Sequence, residues 1–298
     1  MKKSSTKLTE VALSESQRQA MLGLLSDEDP VVYDVVRKRL LREGMTARDW
    51  LNPMRLSEDP VVRSRVQEIL HIFDRQASDG EFVMFCLKSG EEFDLERGAW
   101  MLARTRYPDV NMAAYQAVLD TYAGELMERI DFGSAPGEIL ECISDYVFQQ
   151  LGFKGDDSNY YDPRNSYLNQ VVDRRCGNPI SLCQIYLFLA RRLRLPLVGI
   201  GMPGHFICRF QSSTDEIFVD VFNEGRLITK ADCMRYLQQT GHEASDRYLI
   251  PSTPKRTLLR VCSNLHQIYL NQNGTVEASR LERYIVALSK QPLSAIGS

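Results

Sequence analysis

The chain has 298 residues, more than one typical domain, with a hydrophobic fraction of 44% and a charged fraction of 25%, both ordinary for globular protein. Its 36 basic and 39 acidic residues leave a net charge of −3, too small to draw the whole molecule to nucleic acid or to anionic lipid. The longest nearly uncharged apolar run, Pro179 to Ala190, falls short of the ~20 residues of a membrane span, and Met1-Lys2-Lys3-Ser4-Ser5-Thr6 leads into no signal-type segment.

A cytoplasmic location is therefore expected. The seven cysteines, at 86, 142, 176, 183, 208, 233 and 262, form no C-x-x-C pair and lie mostly in apolar stretches. That pattern predicts reduced, packed thiols rather than disulfides or zinc ligands. No metal cluster, phosphate-binding glycine loop or nucleotide motif is present, so no metal and no cofactor is expected.

The first organised feature is a repeat. Ser26-Asp27-Glu28-Asp29-Pro30-Val31-Val32 recurs as Leu56-Ser57-Glu58-Asp59-Pro60-Val61-Val62, and Val36 and Leu40 are matched by Val66 and Leu70. An acidic residue before a proline caps the free N–H groups of a first helical turn. Each copy should open a helix, and the pattern resembles HEAT-type helical repeats, a plain helical bundle being the alternative. From Glu81 to Arg129 the apolar residues keep helical periodicity, and a further helix is expected from Glu138 to Gln150, stopped at Gly152. The first ~150 residues should be all-α.

The character changes at Lys154-Gly155-Asp156-Asp157-Ser158-Asn159, a polar loop. Beyond it, Pro179 opens a helix that is apolar on every side, broken in its first turns only by Ser181 and Gln184 and closed by Arg191 and Arg192. Such a helix should be central and buried. Leu197 to Met202 reads as a buried strand, Pro203-Gly204 as a turn, His205 to Phe210 as an alternating strand and Ile217 to Phe222 as its return, with a hairpin loop at 212–215.

Three segments carry a family resemblance: Asp162-Pro163-Arg164-Asn165-Ser166-Tyr167-Leu168-Asn169, Arg174-Arg175-Cys176-Gly177-Asn178-Pro179-Ile180-Ser181-Leu182, and Pro203-Gly204-His205-Phe206. They resemble the signatures of the SirB family of transglutaminase-like proteins, related to a domain of certain eukaryotic F-box proteins. The resemblance implies an α+β fold with a papain- or transglutaminase-like core, a central buried helix on an antiparallel sheet. It also implies tetratricopeptide-like helices at the C-terminus. The expected organisation is a helical, HEAT-like region at 1–75, a transglutaminase-like domain at 76–250 (helical lead-in 76–153, core 154–250) and one helical hairpin at 251–298. A single hairpin falls short of a free-standing array and should pack on the core.

In such a core a cysteine at the helix N-terminus is held as thiolate, attacks an acyl carbon, and exchanges protons with a histidine that an aspartate orients. His205 and Asp220, on neighbouring strands, match two members. The third is missing: aligning Gly177 with the glycine of the G-x-C motif puts Pro179 at the cysteine position, and a two-residue shift puts Ser181 there. Ser181 is the candidate third member, either as a weak nucleophile or as a hydroxyl partner of His205 or of helix N–H groups. Cys176 precedes the helix and Cys183 lies on its buried surface.

Asp162, Arg164, Asn165, Arg175, Asn178 and Gln184 are candidate binding residues, either as a rim of the His205 pocket or as a loop-and-cap network. Three classes of function follow. The chain is read first as a transglutaminase-like module without its nucleophile that binds a protein segment or ligand. The alternatives are an acyl-transfer or amide-hydrolysing enzyme using Ser181 or Cys176, and a helical-repeat scaffold. A protein partner, reached through the helical repeats or the His205 cleft, is expected in preference to nucleic acid or membrane.

Overall fold

The computed structural model describes residues 13–88, 93–212 and 215–290. The chain divides into two compact units, Met1–Ala77 and Ser78–Ser298. Among the described residues it is mostly helical, with twelve α-helices and one four-stranded antiparallel sheet.

The first unit holds α1 (Glu15–Gly23), α2 (Pro30–Glu43), α3 (Met45–Leu51) and most of α4 (Pro60–Cys86). The 30-residue repeat is visible in the backbone. Asp29 Oδ1 accepts from Val31 N–H and Asp59 Oδ1 from Val61 N–H, both at 2.8 Å, so each copy caps a helix whose first residue is proline. Val36, Leu40, Val66 and Leu70 are all buried in one apolar cluster with Leu25, Leu51 and Phe73.

In the second unit follow α5 (Leu95–Arg106), α6 (Met112–Arg129) and α7 (Pro136–Ser144). The helix expected through Gln150 changes winding at Asp145 into a π-turn over 145–150, and Gly152 ends it at φ +74°. A short parallel pair, β1 (Lys154–Gly155) and β2 (Cys176–Gly177), brackets α8 (Leu168–Arg174). Then come α9 (Pro179–Arg192) and the sheet β3 (Leu197–Ile200), β4 (Ile207–Gln211), β5 (Glu216–Asp220) and β6 (Arg226–Ile228), in that order and antiparallel throughout. The chain closes with α10 (Lys230–Gln239), α11 (Pro254–Asn271) and α12 (Thr275–Ser289).

The alternation read in 205–210 is realised with both faces covered. Phe206, Cys208, Phe210 and Val219 join the main core with Leu182, Ile185 and Leu189 of α9, while Ile207 and Phe218 form a smaller core with Cys233 of α10 and Leu249. Of the fourteen residues of α9, eleven are buried, the signature of a helix sheathed on all sides. Leu258, Cys262 and Leu265 of α11 and Leu281 and Tyr284 of α12 enter the same main core. All seven cysteines are free, and six are buried.

Several strand limits differ from the sequence reading. β3 stops at Ile200, β4 begins at Ile207 rather than at His205, and β5 ends at Asp220, after which Val221–Asn223 turn as a 3-10 helix. The reason is local: Pro203 and Gly204 bend the chain, and Asp220 caps the following turn with its own side chain. Of the hairpin loop expected at 212–215, residues 213–214 lie outside the described residues.

Candidate functional site

His205 is set by a turn. Pro203 occupies the second position and Gly204 the third, at φ +72°, and the Met202 carbonyl accepts from the His205 N–H at 3.3 Å, the pattern of a type II turn. A Cβ on Gly204 would be strained by that φ and would meet the Tyr236 hydroxyl at 3.1 Å. That hydroxyl donates to the Pro203 carbonyl. On the other side the Arg260 guanidinium donates to the carbonyls of Met202 at 2.6 Å and His205 at 2.8 Å, so both ends of the turn are tied to α11.

The imidazole stands between the rings of Tyr236 and Phe222, with Nε2 2.9 Å from Asp220 Oδ1. Burial alone would raise the Asp220 carboxyl. His205 and the side-chain and backbone N–H groups of Asn223 outweigh that effect and hold it below the ordinary carboxylate range. Asp220 is thus ionised at neutral pH and accepts, so Nε2 carries the proton and Nδ1 is the nitrogen left to a ligand. In the neutral ring Nδ1 is an acceptor; in the imidazolium it donates.

A cavity of about 300 Å³ opens beside this histidine. Its walls are Tyr160 and Tyr161, the start of α9 at Asn178, Pro179 and Ile180, the turn at Gly204, His205 and Phe206, and one face of α11. That face presents Arg260, Asn264, Gln267 and Asn271, spaced as residues on one side of a helix. Gln272 Nε2 donates to the Tyr161 carbonyl and fastens the tyrosine wall to the end of α11.

Neither proposed hydroxyl nor thiol faces this cavity. Ser181 is fully buried; its Oγ accepts from the Asn178 N–H at 3.0 Å and reaches the carbonyls of Asn165 at 2.6 Å and Asn178 at 3.0 Å. With Asn178 Oδ1 accepting from the Ser181 N–H, this is a reciprocal capping box. Of the partners considered for Ser181, the structure provides backbone groups, and no hydrogen bond joins it to His205 among the described residues. Gly177 makes room for it, since a Cβ there would lie 2.6 Å from Ser181 Oγ. The buried Cys176 thiol is pushed up by burial and by the nearby Asp156 carboxylate, the reverse of what an attacking thiolate requires. Burial, reinforced by Cys208, pushes Cys183 up further.

Of the six candidate binding residues, only Asn178 lines the cavity. Asp162 caps the 163–165 turn and pairs with Arg164 at 2.7 Å. The fully buried Asn165 donates to Asp156 at 3.1 Å and to the Asn159 carbonyl, and accepts from Arg174. Arg175, at φ 53°, donates to the Leu151 carbonyl. Gln184 is buried with neither amide atom hydrogen-bonded to protein. These contacts are those of a loop-and-cap network beneath the site. Sequence reasoning missed Arg260, Asn264, Gln267 and Asn271; the available signal was a polar stripe at i, i+4, i+7 and i+11 on an amphipathic helix. Among the described residues there is no group of three His, Cys, Asp or Glu able to hold a metal ion, and no helix is long and apolar enough to cross a membrane.

Residues 113–263 match the model of the transglutaminase-like superfamily. A UPF0162 protein of Xylella fastidiosa is 36% identical over 209 residues, covering 68% of this chain and 74% of that protein. A UPF0162 protein of Pseudomonas aeruginosa is 30% identical over 187 residues, covering 62% and 67%. F-box only protein 21 of Mus musculus is 34% identical over 136 residues, which are 43% of this chain and 21% of that protein. No solved structure matches significantly. A histidine on the turn before one strand paired with an aspartate at the end of the next, beside the N-terminus of a buried helix, is thus found in a chain that belongs to the transglutaminase-like superfamily and to its UPF0162 branch.

Proposed function

We propose that the second unit binds a protein segment in the cavity beside His205 and forms no acyl–enzyme bond there, acting as a non-catalytic, regulatory module. The observation that carries this reading is the start of α9. Where a superfamily nucleophile would sit, Pro179 and Ile180 line the cavity, and the Ser181 hydroxyl is spent on the helix cap. Among the described residues the lining contains no cysteine, serine or threonine.

What remains suits recognition. A polypeptide offers N–H and C=O groups at every residue, and the wall of Asn264, Gln267 and Asn271 offers amides of both kinds. Tyr160 and Tyr161 add rigid, amphipathic area of the sort that concentrates binding energy. His205, oriented by Asp220, supplies one further acceptor or donor. The likeness to about a fifth of F-box only protein 21 fits a module that works joined to other parts.

The test pairs binding with chemistry. His205→Ala and Asp220→Asn, checked for fold by circular dichroism, should lose at least one partner that the wild-type chain captures in quantitative mass spectrometry. Equal recovery by wild type and both variants sinks the binding reading. A covalent adduct of a fluorophosphonate with Ser181, or of iodoacetamide with Cys176, that disappears in His205→Ala would instead establish the acyl-transfer alternative.

A further inference from the structure

Helix α11 carries Lys255, Arg256, Arg260 and His266 and no acidic residue. Arg260 lines the His205 cavity, and it also lines a second one, of about 590 Å³, with Arg247, Tyr248, Ser252, Arg256 and Ser263. Among the described residues neither lining contains an aspartate or a glutamate. Arg247 is neutralised by Glu243 at 3.1 Å, but Arg256 and Arg260 make no ion pair with any described residue. Arg260 is half-buried against the Phe206 ring, so its charge is partly desolvated and lacks a counter-ion. A cation in that position gains from an anionic partner more than a fully hydrated surface arginine does.

We propose that the two cavities are consecutive subsites for one extended polypeptide, whose residue beside His205 is flanked on the Arg256 side by acidic side chains. This inference rests on the binding reading above and adds the ligand's chemistry and direction. The polar stripe supplies the ruler. Arg256 to Gln267 spans ~16 Å of helix at about 1.5 Å per residue, the length of about five residues of extended chain at about 3.3 Å each. The stripe is graded along α11, with guanidinium groups at one end and the amides of Asn264, Gln267 and, beyond that length, Asn271 at the other. Acidic side chains therefore match one half of the segment and neutral backbone amides the other. A peptide is favoured over a polyanion such as single-stranded nucleic acid, because cationic groups end at Arg260 and the chain as a whole is net negative.

The experiment uses the full chain, immobilised, and a degenerate octapeptide library at low ionic strength, with the retained pool sequenced. Asp and Glu should be enriched at least threefold over the input in adjacent positions, and the enrichment should fall between 50 mM and 300 mM salt. Arg256→Gln, an exposed change that leaves the fold intact, should cut the enrichment by at least half. Arg260→Gln should abolish it, and also weaken retention of neutral peptides, because the His205 turn loses its tie to α11. A retained pool with the acid content of the input, or an enrichment untouched by Arg256→Gln, overturns the inference while leaving the cleft reading standing. A pool identical for wild type and His205→Ala overturns the cleft reading itself. Displacement of the acidic peptides by an equimolar single-stranded thymidine dodecamer would reassign the cations to phosphate and overturn the peptide assignment.

Discussion

The two ends of α9 are built on opposite plans. Its C-terminal end is closed: Glu96, fully buried, receives a two-pronged contact from Arg192 at 2.8 and 2.9 Å and a further contact from Arg191, while Trp100 Nε1 donates to the same carboxylate. Its N-terminal end is closed for the backbone but open beside it. Asn178, Ser181 and Asn165 satisfy one another, and beside Asn178 the cavity meets Pro179, which has no N–H to give, and Ile180. Cations at the C-terminal end of a helix and neutral polar caps at its start both suit the helix dipole. The difference is that charge is used for anchoring at one end, whereas at the other it has been withdrawn from the helix and handed to the His205–Asp220 pair and to Arg260.

The largest effect is expected at Glu96. Glu96→Ala leaves the Arg192 guanidinium, itself mostly buried, with only the exposed Asp120 carboxylate and the Phe188 carbonyl, and chemical denaturation should report a loss of about 3 kcal/mol. If the loss is under about 1 kcal/mol, the C-terminal anchor is not what fixes α9. Next comes Gln184, where an unpaired amide sits in the middle of the helix. Gln184→Met keeps the length and removes both polar atoms, so it should stabilise by about 1–3 kcal/mol in the same measurement.

At the N-terminal end, Asn178→Ala removes one half of the capping box and should cost about 1 kcal/mol. Ser181→Ala should cost about as much, and under the binding reading it should leave partner capture unchanged. The smallest effect is electrostatic and appears only in acid. Because Asp220 is held below the unfolded carboxyl value of about 3.9, its contribution to stability is complete above that pH and fades as pH falls through the lower folded value. Asp220→Asn should remove that part of the acid dependence, seen as convergence of the two proteins' denaturation midpoints as the pH falls to about 2. Midpoints that stay parallel from neutrality to pH 2 would mean that the pair with His205 holds no folding energy.

Local patterns in the sequence carry far in this molecule. The repeated Asp-Pro-Val-Val opens two helices because a short carboxylate and a proline act on the turn that contains them, and Val36, Leu40, Val66 and Leu70 are buried because their spacing puts them on one face. The all-round apolar composition of 179–190 is enough to demand burial, and Pro203-Gly204 is enough to demand the turn that delivers His205. Even the pairing of His205 with Asp220 was legible, since both lie near a short hairpin and antiparallel strands bring such residues opposite one another.

Other features were decided only in three dimensions. Ser181 as a spent cap depends on the Asn165 carbonyl, sixteen residues away, and on the space left by Gly177. The dispersal of Asp162, Arg164, Asn165 and Arg175 into loop contacts depends on β1 and β2 pairing across that segment. Most of all, the wall of Arg260, Asn264, Gln267 and Asn271 belongs to a helix more than fifty residues beyond His205. Local sequence determines which face of a helix is polar; which cavity that face completes is set by how the apolar face packs, and here Leu258, Cys262 and Leu265 bury themselves in the core beneath α9 and turn the amides toward the histidine.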